Sequence, residues 1–284
     1  MKVWFLSLCT AGMMVGTAPA LAVCSPIPGA GQIWSRTPVR WVFVGELHGS
    51  NEAPAAFLDL VCDALAGGKS VTVALERPTS EQSALEGMLD GKDVDAAKKE
   101  LLGLPGWKNG MDGRASGAML RLLVALRELR DANPNLSVAA FDAPTAGDAA
   151  GARDEAMGKA LLALGKAEPA NLILILTGNV HGMQAPLFGY DFAAMYLPPD
   201  QKLSLEVTDE GGKSWTDSKV GCGPMWGGVG DKGAKRPRGI YLEPTLAPYG
   251  KVDGVLALGV PLTASEPAAG IPSPVPVCRA TFLE

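Results

Sequence analysis

The sequence predicts an α/β fold: a three-layer sandwich around a mostly parallel sheet, with an antiparallel edge added near the C-terminus. Three observations predict it. Short apolar runs alternate with helical patterns through the first two thirds of the chain. The run at 171–178, NLILILTG, is apolar throughout, as in a strand covered by helices on both faces. The stretch 202–220 reads as two strand-like runs around Gly211-Gly212, the pattern of an antiparallel hairpin.

The elements follow in order. VRWVFVG (39–45) is short, β-branched and aromatic, and reads as a buried strand. In 51–68, Phe57, Leu58, Val61 and Leu65 share one helical face, and Gly67-Gly68 ends the helix. SVTVALE (70–76) is a second strand, followed by a polar helical hairpin over roughly 80–101. The Gly/Pro-rich stretch 103–113 reads as a long loop. The clearest helix spans 114–132, where Met119, Leu122, Leu123, Leu126 and Leu129 form one stripe. LSVAAFD (136–142) is the third strand, 150–167 a helix, and 171–178 the fourth strand. A short helix is expected near 185–195 and a late strand at 255–260. No linker-like composition divides the chain, so 23–284 is read as one domain with a Gly/Pro-rich extension at about 221–284.

Apolar residues make up 47%, enough for a sizeable core, and charged residues 19%. The net charge of −5, with no Lys/Arg cluster, argues against a nucleic-acid partner. The N-terminus reads as a secretory signal. Lys2 precedes a mostly apolar run to Val15, and Ala18–Ala22 offers an Ala-x-Ala pattern, so cleavage is expected after Ala22. Gly12, Gly16 and Pro19 interrupt the run, which is short for a span. Lipidation at Cys24 fits less well, because Val23 precedes it. The expected location is therefore periplasmic or secreted, with no membrane span after the signal is removed. Cleavage leaves Cys24, Cys62, Cys222 and Cys278, an even number suited to two disulfides in an oxidising compartment. Pairing of neighbouring regions gives Cys24–Cys62 and Cys222–Cys278, one of three connectivities.

The chain has only two histidines, and both follow an apolar run within Gly-x-x-His-Gly: GELHG around His48 and GNVHG around His181. In a parallel sheet the strand C-termini meet along one edge, where ligands bind. The first strand end supplies Glu46 and His48, two apart and so on one side of an extended chain. The second supplies Glu76 and Arg77, the third Asp142, the fourth Asn179 and His181. A structural role competes at each position. A buried histidine can be a bonded core residue, Glu76 can pair with Arg77 or Arg114, and Asp142 can cap a turn. A helix starting between Ser50 and Pro54 would aim its free amides at the same edge, suiting an anion.

Five segments in this order, GELHG, ALERP, DGRASGAML, AAFD and GNVHG, resemble the erythromycin-esterase/ChaN-like superfamily, which also includes the Tiki/TraB proteins. The resemblance runs from about Arg40 to Pro198. It implies an α/β sandwich with histidines and glutamates at one sheet edge. Members of that family include ester hydrolases, metal-dependent peptidases with paired Gly-x-x-His motifs, and a haem-binding lipoprotein. By motif match, His48, His181, Glu46 and Glu76 are the site positions carried over, with Arg114 a further candidate. The region containing Cys222 and Cys278 has no counterpart in the resemblance.

The leading expectation is a hydrolase that activates water against an ester or amide bond of a small-molecule or peptide substrate. In its metal-free form His48 is the general base, with an unperturbed pKa near 6.5, and Glu46 or Glu76 orients its ring. His181 or Arg114 then faces the developing oxyanion, and Arg77, Asp142 and Asn179 contact substrate. In its metal form His48, His181 and Glu76 hold zinc, manganese or iron. No Gly-x-Ser-x-Gly elbow occurs, which disfavours a covalent serine mechanism. The alternative is a periplasmic protein binding haem or a metal complex through an imidazole. A third reading is a non-catalytic domain. The sequence carries no signal for the oligomeric state.

Overall fold

The computed structural model describes residues 24–145, 149–187, 189–218, 221–226, 235–248 and 250–271. The expected signal segment at 1–22 and Cys278 lie outside them. After a helical turn, α1 (Gly31–Trp34), the chain enters the sheet as β1 (Trp41–Glu46). The helix α2 (Glu52–Ala66) stops at Gly67. Then β2 (Val71–Pro78) leads into the helical pair α3 (Gln82–Asp90) and α4 (Val94–Gly103). The Asp93 carboxylate caps α4 by accepting from the amides of Asp95 and Ala96, both at 3.0 Å, an arrangement worth about 1 kcal/mol. The Gly/Pro-rich stretch that follows is not all loop, because Pro105 opens a short helix, α5 (Pro105–Lys108). Next come α6 (Gly117–Ala132), β3 (Leu136–Asp142), α7 (Ala152–Ala167) and β4 (Leu172–Gly178). The remaining strands are β5 (Lys202–Thr208), β6 (Lys213–Ser218), β7 (Gly221–Trp226), β8 (Gly239–Tyr241) and β9 (Gly254–Ala257).

The main sheet has seven strands in the order β3-β2-β4-β1-β5-β9-β8. All neighbours are parallel except β8–β9, which is the antiparallel edge. As expected from its unbroken apolar run, β4 is buried along its whole length and lies between β2 and β1. Strand alternation divides the core. Val42 and Val44 of β1 with Leu172, Leu174 and Leu176 of β4 face one helical layer, built from α2, α3 and α6. Trp41 and Phe43 with Ile173 and Ile175 face the other, built from Met157 and Leu161 of α7 and from the turn at 193–197. The disulfide Cys24–Cys62 ties the start of the described chain to α2. Among the described residues no helix is long and apolar enough to cross a membrane.

Three expectations change. The hairpin is not formed by 202–208 with 213–220. Instead β5 is hydrogen-bonded to β1 on one side and to β9 on the other, both parallel. With both edges occupied it has no place for β6, which pairs antiparallel with β7 in a separate two-stranded sheet. Near 185–195 there is no α-helix, only a 3-10 turn at Ala193–Tyr196. At the start of α2 two of the amides expected to face an anion are taken within the chain, that of Asn51 by Thr263 O at 3.0 Å and that of Ala53 by Ser50 Oγ at 3.3 Å.

Candidate active site

Parallel register brings β1, β2 and β4 to a common end: Glu46 lies opposite Gly178, and Leu75, just before Glu76, opposite Leu176. Alternation then selects what faces the edge. Glu46 and His48, two apart, meet at 3.0 Å between Oε1 and Nδ1. The other ring nitrogen of His48, Nε2, lies 3.3 Å from Glu76 Oε2. Glu76 is the hub. Its Oε2 accepts from Thr177 Oγ1 at 2.8 Å and from the Gly178 amide at 2.7 Å. Its Oε1 accepts from Arg153 at 2.7 Å and from Arg114 at 3.2 Å. The approach at Gly178 is close: a Cβ there would sit 3.1 Å from His48 Nε2, tight enough that the ring would have to give by a few tenths of an ångström, and 3.5 Å from both Glu76 Oε2 and the His181 ring.

His181 is in a different setting. Its Nδ1 lies 2.6 Å from Asp154 Oδ1, which also accepts from the Ala193 amide at 3.0 Å. Its Nε2 lies 3.1 Å from Arg153 Nη1. A guanidinium can only donate, so Nε2 accepts and the ring proton sits on Nδ1, toward Asp154. Arg153 also forks onto Asp142, with Nε–Oδ1 at 3.0 Å and Nη2–Oδ2 at 2.8 Å. Arg114 reaches the same Asp142 oxygen at 3.3 Å and holds Asp112 at 2.8 Å through Nε.

Charge sets the protonation. Three carboxylates (Glu76, Asp112 and Asp142) hold the guanidiniums of Arg114 and Arg153, while Glu46 and Asp154 hold the two histidines. Burial works against a charged His48, but the Glu76 charge and the bonds to Glu46 and Glu76 outweigh it, raising its pKa to about 10. This departs from the value near 6.5 expected of an isolated ring: His48 is an imidazolium at neutral pH. Burial also opposes a charged Glu76, yet the cations at His48 and Arg114 hold it well below the usual carboxylate range. Glu46 goes the other way. Burial raises it despite His48, and its Oε2 is buried with no partner. Arg114 holds Asp112 low against the effect of burial.

Apart from Asp142, which lies behind the arginines and does not line it, these groups border a cleft of about 290 Å³ with Leu47, Val180, Tyr190 and Phe192 as an apolar side. Asn179 also borders it. Arg77 does not. Adjacent strand residues point to opposite faces, so Arg77 turns away from Glu76, forks onto Glu81 at 2.8 Å through both Nε and Nη2, and stacks 4.7 Å over Trp107. Asp142 is an ion-pair partner of both arginines. Sequence reasoning missed Arg153, Asp154 and Asp112. The available signal was the Arg-Asp pair in the first helical turn after Gly151, on a helix packed beside the fourth strand.

In this arrangement both nitrogens of each imidazole face carboxylates or a guanidinium. Among the described residues no group of three or more His, Cys, Asp or Glu is placed to hold a metal.

No protein-family model matches the sequence, and no curated protein does. The fold is similar to that of a succinoglycan biosynthesis protein, with TM-score 0.59 and 8% identity over 83% of this chain and 91% of that one. It is also similar to a mutant of the erythromycin esterase EreC in its open conformation, with TM-score 0.52 and 10% identity over 68% of this chain and 77% of that one. At these identities the likeness is one of fold.

Proposed function

We propose that this chain is an exported hydrolase that attacks an ester or amide bond with a water activated by His181, without a metal. The observation that carries the reading is the Asp154–His181 pair. A carboxylate at 2.6 Å fixes the ring so that Nε2, the unprotonated nitrogen, faces the cleft beside the Arg153 guanidinium. Substrate entry places a water on Nε2 in the position now held by the Arg153 N–H. The water proton passes to Nε2 and its oxygen attacks the carbonyl carbon. The displaced Arg153, 40% exposed at its side chain, then donates to the oxyanion, with the field of Arg114 and the His48 imidazolium behind it. As the tetrahedral intermediate collapses, His181 returns the proton to the departing alkoxide or amine. Glu76 holds both arginines and the His48 cation in place. Similarity of fold to an erythromycin esterase supports hydrolase-like chemistry in general terms and names no substrate here.

The cleft also indicates the substrate's character. Nearly all the N–H donors of Arg114 and Arg153 are spent on carboxylates or His181, and carboxylates outnumber cations. An anionic substrate would meet net repulsion, so the scissile bond belongs to an uncharged, partly apolar small molecule or peptide. The Cys24–Cys62 disulfide supports an oxidising compartment. The test is a panel of neutral and carboxylate-bearing aryl esters and lactones assayed with the full chain and with His181→Ala. Hydrolysis of neutral esters, lost in the variant, is expected. Undiminished turnover by His181→Ala would sink the assignment.

A further inference from the structure

The extension beyond β9 carries a segment, Leu262–Ala268, whose hydrogen bonds converge on the catalytic edge. The Asn51 amide donates to Thr263 O at 3.0 Å, and the Asn51 side-chain amide donates to Thr263 Oγ1 at 3.0 Å. The Ser265 amide donates to Gly49 O at 2.8 Å, and the Trp215 amide of β6 donates to the same carbonyl at 2.8 Å. Gly49 is directly next to His48. Its φ of +83° and the Trp215 carbonyl, 2.0 Å from where a Cβ would lie, restrict this position to glycine.

The same segment closes the start of α6. Two helix-start amides that would otherwise lack partners donate to it at 2.8 Å, Ala118 to Ser265 Oγ and Gly117 to Glu266 O, and the Ala268 amide of the strap donates back to Ala115 O at 2.8 Å. Ala115 is directly next to Arg114. The two loops also touch: a Cβ on Gly113 would lie 2.7 Å from the carbonyl carbon of His48. Ser265, 4% exposed, thus bonds the His48 loop through its N–H and the Arg114 loop through its hydroxyl.

We infer that Thr263–Ala268 is a positioning strap, with Ser265 as its central residue, that fixes the His48 loop against the Arg114 loop and so sets how the two cations support Glu76. Its catalytic consequence rests on the hydrolase reading above. Its structural consequence does not.

The experiment uses the full chain with Ser265→Ala, with Thr263→Val as an exposed second variant that does not disturb packing, and with Arg130→Ala as a control. Arg130 pairs with Asp90 far from the edge. Two readouts are taken: hydrogen–deuterium exchange along the backbone, and kcat and KM on a neutral ester. Loss of one buried hydrogen bond corresponds to about a fivefold change in a local opening equilibrium. Exchange in Ser265→Ala is expected to accelerate about fivefold at 115–119, where the hydroxyl bond is lost, and to a smaller degree at 47–50, where the backbone bond to Gly49 remains on a loosened strap, with β1 and β4 unchanged. Its kcat is expected to fall severalfold with KM nearly constant. Thr263→Val should do the same at 47–52 to a smaller degree, and Arg130→Ala should do neither. Faster exchange everywhere, or none at the two loops, overturns the strap. Local acceleration with unchanged kcat overturns its positioning role. A wild-type chain that hydrolyses no ester overturns the hydrolase reading alone, and the exchange data then decide the strap by themselves.

Discussion

Gly45–Gly49 and Gly178–Gly182 carry the same Gly-x-x-His-Gly pattern at the ends of neighbouring parallel strands, yet their ring nitrogens meet different partners. His48 lies between two glutamates, at 3.0 and 3.3 Å, and holds its proton. His181 has one carboxylate on Nδ1 and a guanidinium on Nε2, so its second nitrogen is left as an acceptor. The same Gly-x-x-His-Gly pattern thus places one ring between two carboxylates and the other between a carboxylate and a guanidinium. The difference comes from residues the motifs do not contain: Glu76 from β2, and Arg153 and Asp154 from α7. A histidine's role is set by what other elements aim at each of its nitrogens.

The comparison is broken most sharply at Asp154. Asp154→Asn keeps the shape but removes the charge that holds the Nδ1 proton. The kcat for a neutral ester is expected to fall about 10²–10⁴-fold, the range for loss of a general base, with KM little changed. His48→Gln should cost less, about 10²-fold, as for one lost electrostatic contact to the transition state. Steady-state kinetics on both variants decides it. The reverse ranking would return the base role to His48, as its sequence setting first implied.

A stability measurement sharpens the same contrast. The folded-state pKa of His48 stands at about 10 against 6.5 unfolded. Its contribution is therefore complete below about 6.5 and disappears as pH rises through about 10. Glu76 is depressed below 4.5, so its contribution is present above that value and is lost as pH falls below it. Thermal melts of wild type and His48→Gln between pH 6 and 11 should converge toward the alkaline end. A gap that stays constant would mean that His48 is not charged in the fold. Next in size, Gly178→Ala introduces a methyl group 3.1 Å from His48 Nε2. A severalfold fall in kcat is expected, with the melt shifted only slightly.

Much of this was legible in the sequence, for a physical reason. Strand ends in a parallel sheet share one edge, so residues after apolar runs converge without knowledge of tertiary detail. Glu46, His48, Glu76, His181 and Asp142 were placed in this way. Arg153 and Asp154 were not, because they arrive from the first turn of α7, and no strand rule says which helix start overhangs which strand end. The hairpin was misread because Gly211-Gly212 marks a turn without saying which strands pair across it, and β9, from about fifty residues later, had already taken the free edge of β5.

Arg77 is where strand alternation was available and was not applied, and it yields the smallest effect on activity. Glu76 and Arg77 are consecutive on β2, so only one of them can face the cleft. The side chain of Arg77 is buried on the far face, where Glu81 accepts from it twice at 2.8 Å and Trp107 both stacks beneath it and donates to Glu81 at 3.1 Å. Arg77→Lys keeps the charge but loses the planar fork and the stacking. The expected cost is about 1–3 kcal/mol of stability, the scale of a charged hydrogen bond lost in a buried site, read by denaturant unfolding. Activity per folded molecule should stay within about twofold, because none of these groups touches the cleft. Were kcat instead to drop as far as in Asp154→Asn, the two faces of β2 would be coupled through the backbone at Glu76, and the separation of framework from chemistry along that strand would fail.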